Sequence, residues 1–277
     1  MPLANVVSSL KEGFGATLGN IGIIIVAGTI IGVFLERSGA AFRIAEAILH
    51  RIGRQRVPAS MSVIGYVTSI PVFADSGFVI LSPLNRALTR RAGLSLATTS
   101  IALCLGLMVS HTLIPPTPGP IITAQALEAD LALVLGIAFP VSLCVLAFGW
   151  FWATRVASRL QIDPVTDLDD AEIERRMREA PSTTRSFLPI VAPLILIVLG
   201  SIARLPGAPF GAGVVASIVA FLGDPVIAML IGIGAACLLP RRLDRTMLSQ
   251  SGWVGEGLLS AAVIILITGA GAAFGRV

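Results

Sequence analysis

The sequence predicts an all-α polytopic membrane protein built from broken helices around a re-entrant hairpin. Hydrophobic residues make up 55% of the chain and charged residues only 13%, against roughly 25% charged in ordinary soluble domains. Several apolar runs approach the roughly 20 residues that one helical crossing needs. One of them, Val57–Asn85, is too long for one crossing and too short for two, and Arg clusters flank it on both sides.

Charge and cysteine use narrow the class further. The net charge of +4 comes almost entirely from Arg in the loops, where it sets membrane orientation. No basic face interleaved with aromatics is present, so nucleic acid is not an expected partner. Cys104, Cys144 and Cys237 lie in apolar runs without CxxC or His spacing, and neither disulfides nor a metal site is expected. No other cofactor is expected either. Met1–Gly22 lacks the basic start and unbroken apolar core of a cleavable leader.

In chain order, Met1–Gly19 is polar and Gly-rich, and the first span is placed at Ile21–Leu35, with Gly28 and Gly32 forming a small-residue packing face. Ala40–Ile52 has apolar and charged residues at helical spacing, as an interfacial helix would. Arg51, Arg54 and Arg56 precede the hairpin, and Arg86, Arg90 and Arg91 follow it. Short Arg-rich flanks lie on the cytoplasmic side, so the chain enters the bilayer and returns, with Asp75 at the tip and a second half-helix from about Gly77. Gly93–Leu127 is again too long for one span and is cut at Pro115-Pro116-Thr117-Pro118-Gly119-Pro120. A helix cannot run through prolines, which lack the N–H and obstruct the preceding turn. Thr117 is the expected N-cap where the helix resumes, with Pro118 at its first position. Glu128 and Asp130 suit the outer surface, and Leu131–Ala153 returns to Arg155 and Arg159. Gln161–Arg185 looks like a solvated cytoplasmic linker. Phe187–Ala203 crosses outward, Leu205–Gly211 turns, and Ala212–Leu239 returns with a break at Gly223-Asp224-Pro225, Asp224 serving as a helix cap. Leu258–Phe274 is the last span.

ITGAGAAF in that last span echoes VAGTIIGVF around Gly28, and the Arg distribution makes the two segments cross in opposite senses. Opposed repeats with broken helices are a hallmark of secondary transporters, which hold substrate near the membrane midplane. The expected organisation is a first repeat over residues 1–158, a cytoplasmic linker over 159–186, and the start of an incomplete second repeat over 187–277.

Candidate chemistry gathers at the two breaks. A carboxylate deep in the membrane tends to pair, titrate or bind cations, and Asp75 admits two compatible readings: transport chemistry, or N-capping of the second half-helix. His111, just before the proline break, either hydrogen-bonds a hydroxylated or carboxylate ligand or closes the break structurally. Thr68, Ser69, Ser76, Ser110, Thr112 and Thr117 supply hydroxyls that bind a polyol or replace missing backbone partners. Half-helix N-termini at Ser76–Val79 and Thr117–Ile121, including Gly77 and Gly119, present N–H groups to an anion. Glu36 and Glu256 sit near helix ends, where an interfacial role is expected. A Ser76–His111 nucleophile–base pair would suit an intramembrane hydrolase. The protease-like GxSG and GxGD patterns are absent, however, since the chain reads ADSG and FLGD, and an enzyme is not expected. A membrane subunit of an ion-pumping carboxylate decarboxylase is the rival from another class.

AGTIIGVFLERSGAA (Ala27–Ala41), IPVFADSGFVILSPL (Ile70–Leu84), SHTLIPPTPGP (Ser110–Pro120), GDPVIAML (Gly223–Leu230) and ITGAGAAF (Ile267–Phe274) together resemble the gluconate permease family of the ion-transporter superfamily. The resemblance covers essentially the whole chain. It implies proton-coupled uptake of gluconate or a related hydroxy acid across a bacterial inner membrane, with a homodimer as a further possibility. Family members often carry an aromatic residue where Ala74 stands and a His where Thr117 stands, so D-serine and glycerate remain alternative substrates. The resemblance also implies that members extend beyond both ends of this sequence, and a fragment inactive by itself is expected.

Overall fold

The computed structural model describes residues 3–53, 56–164, 175, 178–203 and 213–275. Helices account for most of the described backbone, and no strand occurs among the described residues. Helix α1 spans Leu3–Arg37, at 1.5 Å per residue roughly 52 Å, well beyond a hydrocarbon core of about 30 Å. It therefore begins well before the expected start at Ile21. The glycines in Met1–Gly19 do not mark irregular chain: a Cβ at Gly13 would lie 2.9 Å from the Ala273 Cα, so this glycine lets two helices touch backbone to backbone.

Helix α2 spans Ala40–Ile52, as expected. Its apolar stripe, including Phe42, Ile44 and Leu49, is buried against protein. It ends at Gly53, whose φ of 100° is open to glycine. The hairpin follows as α3 (Val57–Thr68) and α4 (Ala74–Ala92). Gly93, at φ 62°, closes α4 by donating its N–H to the Arg90 carbonyl. Ser95 then caps α5 (Leu96–Leu113), accepting from the Ala97 N–H at 3.2 Å. After the proline break comes α6 (Pro118–Ala126). Helix α7 (Leu131–Arg155) is capped by Asp130, which accepts from Ala132 and Leu133 at 3.0 Å each. The linker lies largely outside the described residues, as does the turn at Leu205–Gly211.

The second part comprises α8 (Thr183–Ala203), α9 (Val214–Leu222), α10 (Pro225–Ala236) and α11 (Trp253–Phe274). Helices α9 and α10 meet at a 67° bend at the expected break. Asp224 caps α10, accepting from the Val226 N–H at 2.9 Å. Counting that bent pair as one, six segments among the described residues are long and apolar enough to cross a membrane, and α3 is a shorter apolar helix.

Tertiary contacts put the Arg-rich ends together. The Leu96 N–H donates to the Ile162 carbonyl at 2.8 Å, joining the start of α5 to the chain after α7. Arg43 donates to the Pro181 carbonyl at 3.1 Å, and Arg241 to the Arg178 carbonyl at 3.0 Å. Under the positive-inside rule Arg-rich ends of this kind are expected on the cytoplasmic side. Helices α1 and α11 run antiparallel: Gly13 meets Ala273, Ile30 meets Gly257, and Arg37 holds Glu256 at 2.9 Å. They therefore cross in opposite senses, as the Arg distribution required. The fully buried side chains Ile31, Phe34, Ile44, Ile64, Leu81, Leu103 and Leu107 place the core among α1 to α5. By contrast α7 exposes Ile137, Phe139, Phe148 and Phe151, an apolar surface suited to lipid.

Candidate functional site

The hairpin reaches its place through three helices that approach at backbone distance. A Cβ at Gly32 would lie 2.9 Å from the Pro71 carbonyl oxygen, and one at Gly65 would lie 2.5 Å from that of Leu103. The small-residue face of α1 thus receives the hairpin tip, while α3 rests on α5. Gly77 is buried against the Leu107 side chain. At the base, Asn85 donates to the Ser100 hydroxyl at 2.9 Å, and the Thr89 and Thr99 hydroxyls lie 2.6 Å apart. These contacts hold α4 antiparallel to α5 and bring the tip level with the proline break.

Between α3 and α4 the tip satisfies much of its own backbone. The Ser69 hydroxyl donates to the Val72 carbonyl at 3.1 Å, and the Val72 N–H to the Thr68 carbonyl at 3.3 Å. Opposite it, the Thr117 hydroxyl donates backward to the Ile114 carbonyl at 2.7 Å. Thr117 stands at the expected position before Pro118, and its hydroxyl proton closes the break onto Ile114. Pro118 and Pro120 carry no N–H, so of the first three positions of α6 only Gly119 offers a donor. Gly119 faces open space. The Thr112 hydroxyl is tied to the Met108 carbonyl at 2.7 Å within its own helix.

The two breaks face each other across a cavity of about 20 Å³, lined by the tip residues Ile70–Phe73, by His111, Pro116 and Thr117, and by Gly28 of α1. A single water needs roughly 10–15 Å³ by this measure. The compartment is thus closed to a sugar acid in this conformation. The His111 ring packs edge-on against Phe73, centroids 5.3 Å apart. Three buried polar atoms around the breaks have no hydrogen-bond partner: Thr68 Oγ1, Ser110 Oγ and His111 Nδ1. Unpaired buried polar atoms are rare and costly, and sequence reading had no means of finding which of the clustered hydroxyls they would be.

Asp75 departs from expectation. Phe73 occupies the N-cap position of α4 with no side-chain cap, and Asp75 lies one step inside the first turn. Its carboxylate accepts from the adjacent Ser76 N–H at 2.8 Å, is exposed, and does not line the small cavity. It therefore complements the positive helix end without being the cap, and it remains within electrostatic reach of His111. Asp75, Val79 and Pro83 recur at i, i+4 and i+8 and so share one face of α4. Val79 and Pro83 on that face line a groove of about 520 Å³ at the cytoplasmic end, together with Glu36, Arg37, Arg241 and Trp253. Residues that sequence reading missed as site-lining are Gly28, Pro71, Val72, Phe73 and Pro116. Gly28 had been visible only as half of a packing motif.

Broken helices that meet a hairpin tip inside a polytopic helical bundle define a membrane protein of the transporter type, not a soluble enzyme. Residues 1–277 match the GntP family permease profile, and the chain belongs to that family. It is 37% identical to an uncharacterized permease of Haemophilus influenzae, over 98% of this chain and 58% of the relative. It is 29% identical to a gluconate permease of Pseudomonas aeruginosa, over 99% of this chain and 61% of the relative. The D-serine transporter DsdX of Escherichia coli K12 is 32% identical, over 99% and 61%. The chain thus spans about three-fifths of the length of these curated relatives. These are permeases and transporters, and the hydrolase reading of Ser76 and His111 falls with the family assignment.

Proposed function

We propose that the protein takes part in importing a small hydroxylated carboxylate, gluconate or a close relative, together with a proton across a bacterial inner membrane. The observation that carries this reading is the α4 N-terminus. It has no side-chain cap, and Asp75 sits in its first turn. An ionised Asp75 and a substrate carboxylate compete for the same positive helix end. Protonating Asp75 frees that end for the anion, so one proton and one monoanion load together. The unpaired Thr68, Ser110 and His111 atoms then become partners for substrate hydroxyls once the tip separates from the proline break. The groove along Val79 and Pro83 supplies a route from this face to the cytoplasm. The names of the relatives support a small acid without separating gluconate from D-serine. A repeat organisation with the boundaries 158 and 186 is part of the same proposal, supported by the antiparallel crossing of α1 and α11.

Competition experiments rank the substrates. Labelled gluconate uptake into cells expressing the protein is expected to be inhibited by other sugar acids more strongly than by glycerate or D-serine. Saturable uptake of an organic cation, with none of any acid, would sink the proposal.

A further inference from the structure

A second cavity lies away from the breaks, between α2 and α8. It measures about 520 Å³, and its walls include Ile48, Val63 and Phe187. Arg51, Thr183 and Thr184 also line it, and among the described residues no acidic side chain does. Arg51 closes the last turn of α2, and Thr183 opens α8. The groove therefore has an apolar wall, a cation and two hydroxyls at one level, and a helix start beside them. That level is the cytoplasmic one, because Arg43 of α2 bonds to Pro181 just ahead of α8.

We propose that this groove is a binding site for an anionic phospholipid of the inner leaflet. The acyl chain lies on Ile48, Val63 and Phe187, and the headgroup phosphate meets Arg51 and the Thr183–Thr184 helix start. The charge and polarity of the walls select the ligand. A neutral or zwitterionic lipid would fill the apolar part equally well but would leave Arg51 without a net anionic partner. A soluble anion would leave the apolar wall bare. Basic pockets between membrane helices on the cytoplasmic side are suited to anionic headgroups. The site is separate from the compartment between the two breaks, and it does not depend on what the protein transports.

The test is native mass spectrometry of the purified full chain released from mixed micelles of phosphatidylglycerol and phosphatidylcholine. The expected result is a retained phosphatidylglycerol adduct at about fivefold the abundance of the phosphatidylcholine one, in keeping with one Arg at the membrane surface. R51Q should bring the ratio close to one, and T184A should lower it in part. I48W should remove both adducts by filling the groove. R155Q, on α7 outside the groove, should leave the ratio unchanged. Circular dichroism checks that each variant is folded, and T184A keeps the test alive if R51Q is not. Equal retention of the two lipids by the unmodified chain, an unchanged preference in both R51Q and T184A, or no adduct at all because protein covers the groove would each overturn the proposal.

Discussion

Among the described residues, the proline-containing breaks at Gly223-Asp224-Pro225 and Ile114–Thr117 are built differently. At Gly223-Asp224-Pro225 the bend is self-contained. Asp224 accepts from the Val226 N–H at 2.9 Å, and the Gly223 N–H donates to the Val219 carbonyl at 2.9 Å. Gly223 packs directly on the Gly200 backbone of α8. None of its side chains is left buried and unpaired. At Ile114–Thr117 the local backbone is also closed, by Thr117 onto Ile114. The side chains around it are not, since Ser110 Oγ, His111 Nδ1 and Thr68 Oγ1 lack partners, and His111 lines a cavity shared with the hairpin tip. Proline in a membrane helix is thus no sign of a site by itself. The distinguishing feature is polar groups that the break leaves unpaired while facing a second break.

If that contrast is functional, the largest effect belongs to Asp75→Asn. A carboxylate in the first turn of a helix interacts with its positive end by up to about 2 kcal/mol, and each 1.4 kcal/mol is tenfold. Removing this charge should lower proton-driven substrate accumulation on the order of 30-fold, with surface expression unchanged. Normal accumulation by the Asn variant would leave Asp75 only its helix-end role. His111→Phe comes next. It keeps an aromatic edge against Phe73, a contact worth about 0.5–1.5 kcal/mol, and deletes the unpaired Nδ1. Losing one hydrogen bond to substrate, worth about 0.5–1.5 kcal/mol, should lower uptake roughly tenfold or less, with a raised KM and an unchanged melting temperature. Wild-type kinetics would make His111 a packing residue.

At the other break, Asp224→Ala removes a cap. The loss should be about 1 kcal/mol of stability, read as a lowered midpoint in thermal unfolding, with no change in KM. A KM change there larger than the one at His111 would reverse the comparison.

The contrast was only half legible in the sequence. Ala40–Ile52, the break after Leu113 and the Asp224 cap follow from local chemistry: helical spacing, proline geometry and an Asp before Pro225. These signals act within a few residues, so they survive without the rest of the fold. Three partial readings share the opposite cause. Met1–Gly19 looks merely polar and Gly-rich ahead of the first span until Ala273, far along the chain, is found against Gly13. Thr117 is read for its oxygen alone, but its hydroxyl proton also turns back to Ile114. Asp75 looks buried because its neighbours are apolar, whereas its azimuth on α4 points it to the exposed face with Val79. Each outcome is decided by a distant packing partner or by one rotation about a helix axis. Neither is encoded in a window of neighbouring residues.

The smallest effect is the most discriminating, because its sign separates a binding hydroxyl from a structural one. Tyr66 and Ser142 form a completed buried pair at 2.6 Å, and Ser142 also lies 2.7 Å from the Phe139 carbonyl. Ser142→Ala would strand the Tyr66 hydroxyl, and leaving such a group unsatisfied costs about 1–3 kcal/mol. Ser110 is as deeply buried but has no partner to strand. Ser110→Ala should therefore change stability by less than about 0.5 kcal/mol, and any change should favour the folded state, since an unsatisfied polar atom is removed. If Ser110 holds a substrate hydroxyl when the tip opens, the same substitution should raise KM a few-fold while kcat holds. Thermal unfolding and uptake kinetics on the two Ala variants would settle the assignment. A destabilised Ser110→Ala with unchanged KM would mean that its hydroxyl serves the fold, and that the two breaks differ less than their unpaired atoms suggest.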